Sequence, residues 1–234
     1  MNALLLTTIL VVPFHSRDHP STPRLGRMPL GSCAPREREP PCSISASKQA
    51  ATAFRRPGRE DPDALWMGGW AIVILAGERA VGLGAIERAL ELNPNSALAW
   101  NFNGWVQGFS NCPALAIEAL RRAMRLSPLD PQRWMFEGGL ALAHLNAGRY
   151  EEAVEWADRA LQENTRAMAV LRFKAAGCGQ LGRIEQGREC VRRLRELVPG
   201  STVARVKEFS HRFLSPGVLA LYLDRLRKAG LPES

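Results

Sequence analysis

Four short segments of this 234-residue chain close alike, and they come in pairs 34 residues apart. Pro94 ends Ala89-Leu90-Glu91-Leu92-Asn93-Pro94, and Pro128 ends Ala123-Met124-Arg125-Leu126-Ser127-Pro128 at 128 − 94 = 34. Thr165 ends Ala160-Leu161-Gln162-Glu163-Asn164-Thr165, and Pro199 ends Leu194-Arg195-Glu196-Leu197-Val198-Pro199 at 199 − 165 = 34. Proline cannot continue a helix, and it turns the preceding residue away from helical backbone. Each segment therefore reads as the end of a helix and the start of a new unit. A fixed period of this length marks a quasi-one-dimensional array, in which each unit covers its neighbour.

With the closing residue numbered 32, the second unit starts at Ala97. Trp100 then falls at position 4, Asn103 and Gly104 at 7 and 8, Ala116 at 20, Leu120 at 24 and Ala123 at 27. This resembles the tetratricopeptide repeat, W-x2-L-G-x2-Y…A-x3-F…P, with Asn103, Gln107 and Leu120 replacing Leu, Tyr and Phe. Small residues at 8 and 20 let two antiparallel helices approach, while the large ones at 4 and 24 fill the space between units. Gly77, Gly148 and Gly182 are expected at the turns, in the left-handed backbone that ends a helix. In the second unit Asn111 takes that place, and Pro113 starts the next helix. Asp130-Pro131-Gln132-Arg133 absorb three extra residues before the third unit.

The fold class expected is all-α: a right-handed helical-hairpin solenoid of about four repeats, with a C-terminal capping helix and a disordered N-terminal tail. The repeats are placed at 63–96, 97–130, 134–167 and 168–200, within a domain spanning 61–200. Residues 201–234 form a linker and a cap. In the cap, Leu219, Tyr222, Leu223 and Leu226 share one apolar face, and Asp224, Arg225, Arg227 and Lys228 point outward.

Composition divides the chain near residue 60. Residues 1–60 hold nine Lys/Arg, four Asp/Glu and eight of the 16 prolines, whereas 61–234 hold 22 basic and 19 acidic residues. The near-balance of the repeat region argues against a cationic face for nucleic acid. Residues 16–60 read as disordered, with at most a turn or two of helix at 49–54. They are either a non-homologous segment, an upstream mis-assigned start, or the scar of a truncation. The apolar run 2–12 is too short to span a bilayer, and it lacks a preceding basic residue and a following Ala-x-Ala. A cytoplasmic protein with no stable membrane insertion is expected. Export is the alternative if residues 1–15 act as a signal.

No catalytic constellation emerges, so the chain reads as non-enzymatic, without cofactor or metal. Gly177-Cys178-Gly179-Gln180-Leu181-Gly182 spells G-x-G-x-x-G, but a dinucleotide loop must follow a strand, and a helix precedes this one. His15 and His19 sit between two prolines, and His144 and His211 lack companion ligands. Five cysteines form no Cys-x-x-Cys pair, so neither a zinc ribbon nor a disulfide framework is expected. Cys178 and Cys190 read as small apolar residues of helices. Arg121-Arg122 and 192–195 read as solvated faces balanced by neighbouring Glu.

In this fold the first helices line the concave face. Positions 2, 5, 9, 12 and 13 include Met67, Ala71, Asn101, Trp105, Phe109, Met135, Leu142, Asn146 and Arg172. The set is mostly apolar and lacks the Lys/Asn group that grips a C-terminal carboxylate. An apolar helix or an extended peptide is the ligand expected. Equally, some of these residues can simply pack the superhelix. The first helix is apolar nearly all round, through Leu65, Trp66, Met67 and 70–75, with nothing upstream to cover it. Self-association through 65–75, or a missing partner, is expected.

Residues 62–232 further resemble the C-terminal repeat region of bacterial class III adenylate/guanylate cyclases and related winged-helix regulators. The resemblance rests on 66–70, Leu92-Asn93-Pro94-Asn95-Ser96-Ala97, 126–131, 147–153 and the ending 226–233. In those relatives a catalytic or DNA-binding domain precedes the repeats. None fits within residues 1–60, so the resemblance implies a regulatory part and no cyclase activity.

Overall fold

The computed structural model describes residues 61–234. The expectations for the apolar run, His15, His19, the turn at 49–54 and the tail at 16–60 lie outside the described residues.

Ten α-helices make up the described residues, with no strand among them. They are α1 (Pro62–Ala71), α2 (Arg79–Leu92), α3 (Ala97–Phe109), α4 (Pro113–Leu126) and α5 (Arg133–Asn146), then α6 (Tyr150–Glu163), α7 (Met168–Gln180), α8 (Ile184–Leu197), α9 (Val203–Ser210) and α10 (Pro216–Lys228). A π-helical stretch, Ile72–Ala76, prolongs α1. The first eight helices form four hairpins, α1 with α2 through α7 with α8.

Local chemistry sets these boundaries. Asp61 caps α1 by accepting from the Asp63 N–H at 2.9 Å, and Pro62 and Pro113 open their helices where no backbone donor is needed. The turn glycines are left-handed, with φ of 75° at Gly77, 74° at Gly148 and 68° at Gly182, and Asn111 matches them at 63°. The residue before each closing position is extended in every repeat. Asn93, Ser127 and Val198 have φ near −135° and ψ of 77–86°. Asn164, which precedes Thr165 rather than a proline, adopts −131° and 91°. Its Oδ1 accepts from the Arg166 N–H at 3.1 Å. That side-chain turn supplies the bend proline would otherwise impose.

The hairpins close on small residues. A Cβ on Gly104 would lie 3.1 Å from the Ala116 carbonyl, the approach of positions 8 and 20 expected from the sequence, and 2.5 Å from Leu120 Cγ, so position 24 also packs inside its own hairpin. Along the array each first helix packs on both helices of the preceding hairpin, and α1, α3, α5 and α7 also pack on one another. This row of first helices is the inner side.

The C-terminal segment does more than cover α7. The N–H groups of Val203 and Ala204 donate to the Pro232 and Glu233 carbonyls at 2.8 and 3.1 Å. These bonds tie the start of α9 to the residues after α10 and make the segment a helical hairpin. Its tip, 211–215, reaches back to the first two repeats.

One expectation needs correction. Arg225 does not point outward. It is 5% exposed, with its guanidinium 5.4 Å from the centroid of the Tyr150 ring, because the arriving α10 sandwiches that face against the repeats. The first helix is covered on the side of the second repeat. Trp66 and Trp70 are buried against Phe102 at 5.0 and 4.7 Å between ring centroids, leaving Met67 and Leu75 as its exposed large side chains. Cys178 and Cys190 are buried free thiols, and burial pushes the Cys190 thiol up to about 11.

Candidate functional site

The inner row of helices carries a connected set of aromatic rings. Trp70 touches Phe109 at 5.8 Å, Trp105 touches Phe109 at 5.8 Å, and Trp105 touches Phe173 at 6.1 Å. The rings come from α1, α3 and α7, separated by some 100 residues of sequence between Trp70 and Phe173. They line up because each sits on the inner stripe of a first helix. Such offset and tilted pairs add about 0.5–1.5 kcal/mol each beyond the area they bury.

This groove is filled by the chain itself. Phe213, in the tip of the α9–α10 hairpin, packs on Phe109 with centroids 4.9 Å apart and on Phe209 at 5.3 Å. The Ser215 N–H donates to the Phe109 carbonyl at 2.9 Å. Further along, Tyr222 packs on Phe173 at 5.8 Å, and Arg172 Nε donates to the Tyr222 hydroxyl at 3.2 Å. Burial pushes the Tyr222 phenol above its ordinary range, against the opposing pull of Arg172. At the far end a Cβ on Gly179 would lie 3.0 Å from Ala229 N and 3.1 Å from the Arg225 carbonyl. Glycine there admits the backbone of α10. At the near end Gly77 does the same for the tip, since a Cβ on it would lie 2.4 Å from the Arg212 carbonyl.

Eight of the nine residues expected on the concave face divide into three groups. Trp105, Phe109 and Arg172 belong to the set just described. Phe109 and Arg172 touch the hairpin directly, and Trp105 lies beneath through Phe173. A second group joins α3 to α5. Trp105 Nε1 donates to the Met135 carbonyl at 3.2 Å, Asn146 Nδ2 donates to the Gly108 carbonyl at 2.9 Å, and Leu142 would meet a Cβ on Gly108 at 3.2 Å. Met67 and Ala71, the third group, remain on α1, exposed and half-buried respectively. Asn101 stands apart. It is fully buried, and neither its amide nitrogen nor its amide oxygen has a partner.

Reading the sequence missed Phe213, Tyr222 and Gly77 as parts of this site. An available signal was the aromatic spacing Phe209, Phe213 and Tyr222 in a segment otherwise read as linker and cap.

The remaining candidates gather no chemistry. Residues 177–182 lie at the end of α7 and in its turn, not after a strand. His144 is buried with both ring nitrogens unpartnered, and burial, then Arg149, lowers its pKa. His211 is exposed, with Nδ1 2.6 Å from the Glu208 carbonyl. Burial acts against the Lys174 ammonium, but Asp158 at 2.5 Å overrides it, so its pKa is raised. A wide-mouthed hollow of about 590 Å³ on α8 is lined by Arg188, Arg192 and Arg195 among others. Arg188 is paired with Glu185, and Arg192 with Glu189 and Glu196. Arg122 lies over the Trp100 ring at 4.5 Å. Among the described residues no group of three His, Cys, Asp or Glu is placed to hold a metal, and no helix is long and apolar enough to cross a membrane.

Residues 110–167 match the family described as tetratricopeptide repeat. No curated protein matches the sequence. Among solved structures the chain is similar to MamA, residues 41 to the end, from Desulfovibrio magneticus RS-1. That match has 19% identity and a TM-score of 0.51, and covers 68% of this chain and 89% of the other. A MamA RS-1 double mutant matches at 19% identity with a TM-score of 0.50, over 66% and 85% of the two chains. YrrB, a tetratricopeptide protein with an unusual peptide-binding site, matches at 16% identity with a TM-score of 0.47, over 80% and 92%. At these identities the likeness is one of fold. The fold is an all-α array of helical hairpins, packed in the manner of tetratricopeptide repeats, and the family match itself spans residues 110–167.

Proposed function

We propose that this chain is a non-enzymatic scaffold for protein–protein interaction, with repeats at 63–96, 97–130, 134–167 and 168–200. Its ligand surface is the inner row of first helices, and its ligand is an apolar helical segment. One observation carries the reading. The aromatic groove on α1, α3 and α7 already holds the α9–α10 hairpin of this chain, through Phe213 of the tip on Phe109 and Tyr222 of α10 on Phe173. Burial of a side chain such as Phe213 contributes roughly 1.5–3 kcal/mol, so two or three aromatic anchors suffice for a specific peptide. Laying an amphipathic helix into an apolar groove is a recurring recognition mode. An extended peptide fits less well, because what the groove holds is helical over most of its length.

The test is a titration with fluorescent amphipathic helical peptides bearing two aromatic anchors seven residues apart, so that both lie on one face. Scrambled peptides serve as controls. Binding that discriminates the two sets and weakens at least tenfold in Phe109→Asp supports the reading. Equal binding of both sets, or indifference to Phe109→Asp, refutes it. Steep salt dependence with RNA as the probe would favour nucleic acid instead.

A second reading rests on the sequence resemblance to cyclase-associated repeats. The same module then acts as a regulatory part beside a separate catalytic domain. A cyclase domain encoded immediately upstream would favour it.

A further inference from the structure

We infer that the α9–α10 hairpin is a resident intramolecular ligand of the inner groove, which an external helix must displace to bind. The inference rests on the proposed function above and concerns the regulation of that same surface.

Four observations point to a docked element rather than a fifth repeat. First, its position breaks the rule of the array. Each of α3, α5 and α7 packs on both helices of the preceding hairpin, whereas the substantial packing of α10 is on α7 and on its own partner α9. Second, the hairpin spans the array instead of extending it. Its tip lies beside Gly77 and Phe109 in the first two repeats, while Ala229 lies beside Gly179 in the last. Third, it is joined to the repeats only through 198–202. That short connection contains Pro199 and Gly200, the latter left-handed at φ 78°, so the hairpin can leave as a unit without unwinding α8. Fourth, its outer face is charged. Asp224, Arg227 and Lys228 are exposed and pair among themselves and with Glu233. The hairpin thus has the form of an amphipathic ligand, with an aromatic face inward and a charged face outward.

Departure of the hairpin would bare the inner face of Phe109 and Phe173 together with Arg172. Contiguous apolar surface of that kind seeks a partner. Tethering by a short connection gives the hairpin an effective concentration in the millimolar range, which closes the groove to weaker competitors. An occupant able to compete shares the hairpin's chemistry: a helix with aromatic anchors along one face and charges on the other.

The experiment uses the full chain with a specific protease site inserted at 199–200, so that cleavage cuts the tether and leaves every contact in place. The probe is a fluorescein-labelled peptide of residues 201–234, followed by anisotropy, with circular dichroism recorded in parallel. The nicked chain is expected to exchange its hairpin for the labelled peptide and to keep its helical content. The intact chain is expected to bind the probe at least about 100-fold more weakly, and Phe213→Ala in the probe to weaken rebinding at least tenfold. Equal binding by intact and nicked chains overturns the inference. So does loss of the helical signal on release, since the hairpin would then be part of the core, and so does failure of the nicked chain to take the probe. The two proposals fail separately. If the nicked chain takes 201–234 but no foreign helix, the proposed function falls and the latch stands. If foreign helices bind intact and nicked chains alike, the latch falls and the groove stands.

Discussion

Gly77→Ala should be far more costly than the same change at the other turn glycines, and the difference measures how the C-terminal hairpin docks. Gly77, Gly148 and Gly182 share nearly one backbone conformation, at φ 75°, 74° and 68°. Left-handed backbone costs an L-residue about 1–2 kcal/mol. At Gly148 and Gly182 an added Cβ meets nothing within 4 Å, so that cost is the whole effect. At Gly77 the Cβ would also lie 2.4 Å from the backbone carbonyl of Arg212. A carbon and an oxygen need roughly another 0.8 Å, and the obstacle is main chain that no rotamer change can move. Overpacking of this kind costs about 1–3 kcal/mol, giving about 2–5 kcal/mol for Gly77→Ala. The strain is relieved most easily by lifting the tip, which breaks the Ser215 to Phe109 hydrogen bond and separates Phe213 from Phe109. Urea denaturation of the three variants gives the stabilities, and amide hydrogen exchange gives the location. The Ser215 amide should lose protection in Gly77→Ala and keep it in Gly148→Ala and Gly182→Ala. Equal destabilisation of all three, with Ser215 still protected, would show that the tip does not depend on Gly77 and would refute the reasoning.

Thr165→Pro should stabilise the chain by about 0.4–1 kcal/mol, because Asn164 already holds the extended geometry a following proline demands; a lower thermal midpoint would contradict this. The pKa of His144 lies below its ordinary 6.5, so the unfolded chain takes up that proton first. Its contribution is complete at neutral pH and is lost as pH falls from about 6.5 through the lowered value, and His144→Leu should flatten that part of the stability–pH curve. A profile unchanged by His144→Leu would assign the slope elsewhere. The pKa of Glu137 is raised by burial, against the pull of Arg133, so the opposite sign applies: stability declines as pH rises from 4.5 through the raised value, and Glu137→Gln should remove that decline, read by urea midpoints across the range. Any self-association of the chain through α1 should be abolished by Met67→Glu with Leu75→Glu, the large side chains exposed there. Light scattering over a concentration series that shows oligomers persisting in this pair would rule out α1 as the contact.

Much of the fold was legible in the residues because it is locally determined. Pro94, Pro128 and Pro199 stop helices through steric effects on their immediate neighbours. Gly77, Gly148, Gly182 and Asn111 accept the left-handed turn by their own chemistry. The apolar spacing then decides which stripe of each helix faces inward. From these alone residues 61–200 had to be all-α, in hairpins repeating every 34 residues but for three extra residues before the third. The inner position of Trp105, Phe109 and Arg172 followed from the same register. What tertiary structure alone decided is what lies on them. Phe213 meets Phe109 across 104 residues, and Tyr222 meets Phe173 across 49. No periodicity encodes such pairings, because they depend on where four stacked hairpins carry the rings and on where a short connection lets the last two helices return. The amphipathic pattern of α10 requires only that one face be buried. Arg225 shows the limit, since its charge suggested solvent while the packing of α10 placed it over Tyr150. Sequence specified that a C-terminal helix would cover apolar surface, and the geometry of the array determined that this surface would be the groove itself.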